Sequence, residues 1–195
     1  MARRSHDAIR TSALAVAEHY VRQDGVEGLS TRRLAGAIGV SVGTLYNIFG
    51  HADGIVRGVN RRTMSRLHTT LSEALEAAPP GRETRLIALA RAYLDFALEN
   101  PTLWDALFRH RLDTPPEAPV EAEAEALMTL LRTAAGEGVP DDALLALWAA
   151  VHGVVELAAG RRLLTPAPAA PRQYLEIIVR AGIRGITAGN GNPGH

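Results

Sequence analysis

The sequence predicts an all-α protein, and three observations predict it. Alanine and leucine dominate a chain that is 47% hydrophobic but only 5% aromatic, and those two residues favour helices whereas β-branched and aromatic residues favour strands. Between the glycine and proline breaks, apolar residues recur at the three-and-four spacing of a helical face. The stretch Ser30–Phe49, STRRLAGAIGVSVGTLYNIF, reads as a helix, a tight turn and a second helix.

The elements follow in order. A first helix spans about Asp7–Asp24, with Ile9, Ala13, Val16, Ala17 and Tyr20 as its buried stripe, and Gly25 ends it. Leu29 drops into the core from the following loop. Ser30 and Thr31 offer a capping hydroxyl to the second helix, which buries Leu34, Ala35 and Ile38. Gly39 can take the left-handed conformation that ends it, and Val40 plugs the corner. Ser41 can cap a third helix with Leu45, Ile48 and Phe49 inward. Eight or so residues do not hold a helix in isolation, so packing must hold this one. That leaves Val42, Gly43, Thr44, Tyr46 and Asn47 as an outer face.

A long fourth helix spans about Ala52–Ala77 and is stopped by Pro79, Pro80 and Gly81. Its first half carries Arg57, Arg61, Arg62 and Arg66, and its second half is acidic. The fifth helix covers about Arg82–Leu98. Asn100 can cap and Pro101 can start a sixth, to about Arg111. A proline-rich loop, Leu112–Pro119, leads to a seventh helix, Val120–Ala135. The eighth, Asp141–Leu164, is the most apolar segment, and a second proline loop, Thr165–Pro171, precedes the ninth, Arg172 to about Thr187. The tail GNGNPGH is expected to be disordered.

Net charge is zero, but it is not evenly spread. Residues 1–66 hold ten arginines against five acids, and the remainder carries the compensating negative excess. A basic head on an acidic body suits a nucleic-acid-binding module joined to a second domain. The expected domains are 1–66, 67–188 and a tail, 189–195. Cysteine is absent, which removes disulfide frameworks and thiolate metal sites. No apolar run of about 18 residues is apparent, and MARRSHDAIR lacks the apolar core of a secretion signal. The expectation is a cytoplasmic protein without a membrane span, cofactor or metal. No nucleophile elbow, phosphate loop or metal signature occurs, so no enzyme is expected.

Gly28–Val56, GLSTRRLAGAIGVSVGTLYNIFGHADGIV, with its T-L-Y-x-x-F run at Thr44–Phe49, resembles the DNA-binding domain of the TetR family of bacterial transcriptional regulators. The likeness covers Met1 to about Arg66. It implies a three-helix DNA-binding domain, a helical body that binds a small ligand, and a homodimer acting on double-stranded operator DNA. The body also resembles a subset of that family through Asn100-Pro101…Trp104 and Trp148…His152-Gly153.

The resemblance places Ser41, Val42, Gly43, Thr44, Tyr46 and Asn47 at DNA. Asparagine can pair with adenine edges, hydroxyls bind phosphates or bases, and a glycine admits close approach. Arg32, Arg33 and His51 are expected at phosphates, and Arg3 and Arg4 in a neighbouring minor groove. Where the family often has His or Tyr this chain has Ile48, and where it often has Lys this chain has Ala52. Ala52 removes a phosphate-binding charge, whereas Ile48 fits an inward position.

Tyr93, Trp104, Phe108, Met128, Trp148 and His152 form the expected ligand set, and His152 and Glu156 are spaced to share a hydrogen bond. Ala146, Ala150, Gly153 and Leu157 of the eighth helix, with Ile178, Ala181, Gly182, Gly185 and Ile186 of the ninth, form the expected dimer interface. The function implied is a ligand-responsive repressor. The alternative is a helical ligand-binding or scaffold protein whose DNA affinity has weakened at Ile48 and Ala52.

Overall fold

The computed structural model describes residues 5–110, 120–163 and 170–189, with the side chains of all of these except 120–124 and 186–189. Among the described residues there are nine α-helices, one 3₁₀ turn and no strand. The helices are α1 (His6–Asp24), α2 (Thr31–Ile38), α3 (Val42–Phe49), α4 (Ala52–Ala77), α5 (Arg82–Glu99), α6 (Pro101–Phe108), α7 (Val120–Ala135), α8 (Asp141–Ala159) and α9 (Ala170–Gly189). The all-α expectation holds.

The chain divides into two compact units, Met1–Arg66 with Asn100–Glu117, and Leu67–Glu99 with Ala118–His195. The division falls inside α4, after the last of its four arginines. In the first unit, α1 buries Ile9, Ala13, Ala17 and Val21 against Leu34, Ile38 and Leu45 of α2 and α3 and Ile55 and Val59 of α4. Leu103 and Ala106 of α6 belong to the same core. The expected boundary at residue 66 puts α6 in the body instead. Its apolar spacing is legible in the sequence, but spacing does not say which core a helix joins.

One buried carboxylate organises the polar side of this unit. Glu18, on α1, is 8% exposed. Arg66 donates to it at 2.5 Å, Arg22 at 3.2 Å, and Arg62 lies 3.2 Å from its second oxygen. Burial alone would raise the carboxyl's pKa, but the hydrogen bonds and charges of Arg66, Arg22 and Arg62 outweigh it and hold the group below its ordinary range.

The second unit packs α5 against α7, α8 and α9, with Leu86, Leu89, Leu94, Leu144, Val155, Leu175 and Val179 buried. Ion pairs fasten α9 to α5: Arg91 with Glu176, Arg172 with Asp95, and Arg180 with Glu83 at 2.8 Å. Arg82 closes the end of α7 by donating to the carbonyls of Ala135 and Glu137, a cation where the helix presents unpaired carbonyls.

Several caps and boundaries differ from expectation. Asn100 does not cap α6. Its side-chain oxygen accepts from Arg22 at 2.9 Å instead, a partner 78 residues away in sequence. The helix ends at Phe108, before the expected Arg111. The eighth helix stops at Ala159, where Arg161 takes a positive φ of 53°, instead of running to Leu164. The ninth starts two residues early, with Pro171 in its first turn. The expected loop Leu112–Pro119 lies outside the described residues, as do most of the second proline loop and the tail beyond Gly189.

Among the described residues, α8 is long and apolar enough to cross a membrane by length and composition, with mean hydropathy 1.5. The helix is not an unbroken apolar run, since it carries Asp141, Asp142, His152 and Glu156. Only 22% of that window is buried, so much of its apolar surface faces outward.

Candidate functional site

The short α3 is held as its sequence requires. Ser41 accepts from the Thr44 amide at 3.1 Å, capping its start. Before it, Ser30 caps α2 through the Arg33 amide, and Gly39 ends α2 in the left-handed conformation, φ 72° and ψ 43°. Leu45, Ile48 and Phe49 are buried. Arg10 of α1 donates to the Ile48 carbonyl at 2.7 Å and lies 5.1 Å from the centre of the Phe49 ring. Ile48 therefore packs inward, in the orientation its apolar character favours.

This anchoring leaves a polar outer surface. Tyr46 is 44% exposed, and Gly43 and Asn47 are exposed beside it. A Cβ on Gly43 would meet only Ser41 Oγ, at 3.7 Å, so the position is open. Two expected members are less free. Val42 packs partly against the core, because it stands in register with Leu45 and Phe49. The Thr44 hydroxyl is 2.9 Å from that of Ser41. Arg32 and His51 are exposed. Arg33 is held within the protein: it pairs with Asp24 at 3.1 Å and lies 3.9 Å over the Tyr20 ring. Arg3 and Arg4 lie outside the described residues.

The second unit contains a partly open apolar cavity of about 50 Å³. Leu86, Leu89, Leu147 and Val151 contribute to its wall, with Tyr93 and Trp148 the residues that carry polar tips. The Tyr93 hydroxyl is 2.9 Å from His152 Nδ1. His152 stacks on Trp148 with centroids 5.0 Å apart and planes at 13°. Burial pushes the Tyr93 pKa up, and the Glu156 charge adds to this. Burial lowers the His152 pKa against the opposing Glu156 charge, which favours neutral imidazole.

Of the expected ligand set, Tyr93 and Trp148 thus line one cavity and His152 is bonded to it. Met128 is half-buried; its neighbours Leu127, Leu130 and Leu131 line the wall instead. Trp104 and Phe108 belong to the first unit. Trp104 is fully buried there, with its ring 4.4 Å from that of Phe108. No group of three or more His, Asp or Glu side chains able to hold a metal occurs among the described residues.

A third feature is the outer face of α8 and α9. Ala146, Ala150, Gly153, Leu157, Ala181 and Gly185 are exposed, and Ile178 and Gly182 are half-buried. Of these, Ala146, Ala150, Ile178, Ala181, Gly182 and Gly185 border a groove of about 440 Å³ that Leu147 also lines, and Gly153 and Leu157 do not. Leu145 and Ile177, not singled out from the sequence, are exposed at 54% and 59%. A Cβ on Gly182 would lie 3.0 Å from Leu147 Cδ1, so that glycine is already needed inside the unit. Gly153 and Gly185 have nothing within 4 Å. The side chain of Ile186 is outside the described set.

Residues 86–181 match the family model described as "Tetracyclin repressor-like, C-terminal domain". A structure of a protein with unknown function from Rhodococcus sp. RHA1 is 30% identical, with TM-score 0.73, covering 91% of this chain and 94% of that one. A putative transcriptional regulator from Pseudomonas aeruginosa PAO1 is 25% identical, with TM-score 0.59 and coverage of 94% and 90%. The TetR family transcriptional regulator PfmR from Thermus thermophilus is 20% identical, with TM-score 0.57 and coverage of 88% and 97%. No curated protein matches. With the capped helix-turn-helix at its N-terminal end and a matching helical body, the chain belongs to the TetR family of transcriptional regulators.

Proposed function

We propose that the protein is a homodimeric repressor that binds operator DNA in the cytoplasm and is released by a small, largely apolar effector. The observation that carries this reading is the division of α3 into a buried anchor, Leu45, Ile48 and Phe49, and an exposed polar face, Gly43, Tyr46 and Asn47. Such a helix presents base-reading groups to a major groove while its interior fixes their orientation. The uncharged wall around Tyr93 and Trp148 supports an apolar effector. Two copies joined through α8 and α9 would supply the two heads that a two-half-site operator needs.

Release requires only that the effector bind the non-DNA-binding state better. A coupling of about 1–3 kcal/mol shifts DNA affinity roughly 5–150-fold, and DNA must weaken effector binding by the same factor. The covalent route is α4, whose residues belong to both units. A mobility-shift assay with DNA flanking the protein's own gene tests the reading. Wild type should shift it and Tyr46→Ala should not; equal shifts would remove α3 from recognition. Titrating an effector with and without that DNA then tests the coupling, and equal affinities would end the repressor mechanism.

A further inference from the structure

The cavity of the second unit has a wall of one chemical kind and a single polar corner. Its described wall residues are aliphatic except Tyr93 and Trp148, and none of them carries a charge. We propose that the cavity selects a small neutral molecule with one hydroxyl or carbonyl group, set against Tyr93 and His152, and rejects acids of the same size. This rests on the cavity being the effector site and adds the class of effector it takes.

The polar corner is built to stay in place and to stay neutral. Tyr93 is 4% exposed, and its hydroxyl is 2.9 Å from His152 Nδ1. His152 stacks on Trp148 with centroids 5.0 Å apart and planes at 13°, so a wall residue holds the imidazole in position. Burial raises the pKa of the phenol and lowers that of the imidazole, so the corner offers hydrogen bonds without charge. A phenol has a proton to give and lone pairs to receive. A ligand hydroxyl or carbonyl can add to the Tyr93–His152 bond, with the phenolic proton and the imidazole tautomer turning to suit it.

The same chain shows what a buried carboxylate requires. Glu18, in the first unit, gathers Arg22, Arg62 and Arg66. A carboxylate entering the cavity would meet no cationic side chain in the described wall, and the charge felt at the polar corner is the negative one of Glu156. An ion without a partner in an apolar site costs far more than a neutral polar group. Size narrows the class further. A volume of about 50 Å³ takes about three to five water-sized groups, so the ligand is small or extends through the open side.

The test uses the full-length protein, first without DNA. Phenol, toluene and benzoate share a ring and differ at one substituent; n-butanol and butyrate repeat the comparison at smaller size. Calorimetric titration reads affinity. The indole N–H resonances of isotope-labelled protein read location, with Trp148 in the wall and Trp104 in the first unit as reference. Phenol should move the Trp148 resonance, leave that of Trp104, and bind about tenfold tighter than toluene, the scale of one hydrogen bond. Benzoate and butyrate should show no saturable binding at neutral pH. Tyr93→Phe keeps the ring and should bring phenol and toluene to within about twofold of each other; an unfolding curve verifies its fold, and the wild-type comparison stands without it. Toluene as tight as phenol in wild type, an acid as tight as its neutral counterpart, or a Trp148 resonance unmoved by every compound would each overturn the proposal. Operator DNA is then added to the phenol-saturated protein. Selective binding that leaves operator affinity unchanged supports the selectivity and removes the release step of the repressor reading. Release by a carboxylate bound in the cavity would keep that reading and overturn the selectivity.

Discussion

Two exposed helical surfaces differ in a way that separates their partners. The outer face of α3 is polar and narrow: Gly43, Tyr46 and Asn47 stand above a tightly buried anchor. The outer face of α8 and α9 is apolar and broad, with Ala146, Ala150, Leu157, Ala181 and Gly185 exposed beside Leu145 and Ile177. Water tolerates the first without cost. The second leaves apolar area unburied, at about 25 cal/mol per Å², and contiguous patches of that kind mark interaction surfaces. Polarity, more than exposure, tells which face suits a hydrogen-bonding groove and which suits another copy of itself.

The sharpest way to break this comparison is to plant a charge on the apolar face. Ala150→Arg should dissociate the proposed dimer at a cost of about 3–5 kcal/mol, the scale for a buried charge without its partner. Sedimentation velocity at micromolar protein should show monomer; an intact dimer would disqualify the α8–α9 groove. Gly185→Leu makes the milder version by overpacking, about 1–3 kcal/mol, and avoids the internal Leu147 contact that would confuse Gly182→Leu.

On the polar face, Tyr46→Ala should cost about 1–3 kcal/mol of sequence-specific DNA affinity. The melting temperature should hardly move, since the ring is 44% exposed. A large drop in melting temperature would show the residue to be structural.

The carboxylate–arginine cluster that joins α1 to α4 has its own pH signature. Glu18 is held below its ordinary carboxyl range, so its contribution is fully present above its unfolded pKa. It is lost as pH falls through the depressed folded value. Glu18→Gln should lower stability at neutral pH by about 1–3 kcal/mol and flatten the acid limb of a stability–pH curve. An identical acid limb in the variant would mean that the arginine cluster contributes nothing to it.

The smallest effect concerns Arg33. Its ion pair with Asp24 is exposed on both sides, and it lies over Tyr20, so Arg33→Ala should cost about 0.5–1 kcal/mol of stability. Arg32→Ala should reduce the salt slope of DNA binding by about one, and Arg33→Ala by less. Equal reductions would place both guanidinium groups on phosphates.

The parts of the fold that are legible in the sequence rest on short-range chemistry. Ser30 and Ser41 cap helices whose first amides lie three residues on, and Gly39 supplies a local backbone conformation, so α2, the turn and α3 can be read directly. The misread parts turn on distant partners. Nothing near Asn100 announces that Arg22 will take its oxygen, and nothing near Arg33 announces Tyr20. Trp104 has the spacing of a pocket residue, yet its ring is buried in the first unit. The pairing of Tyr93 with His152 joins residues 59 positions apart; each aromatic is visible alone, but not the bond.

Leu147 borders both the apolar cavity and the α8–α9 groove, and its Cδ1 reaches the space beside Gly182. One side chain is therefore a shared wall. A molecule that displaces Leu147 from inside changes the shape offered outside, so with α8–α9 as the dimer seam, filling the cavity and pairing two chains become competing or cooperating uses of one leucine. Effector affinity would then depend on how much protein is present: a titration at nanomolar chain and one at micromolar chain would give different constants, and cellular abundance would set the dose at which the regulator responds.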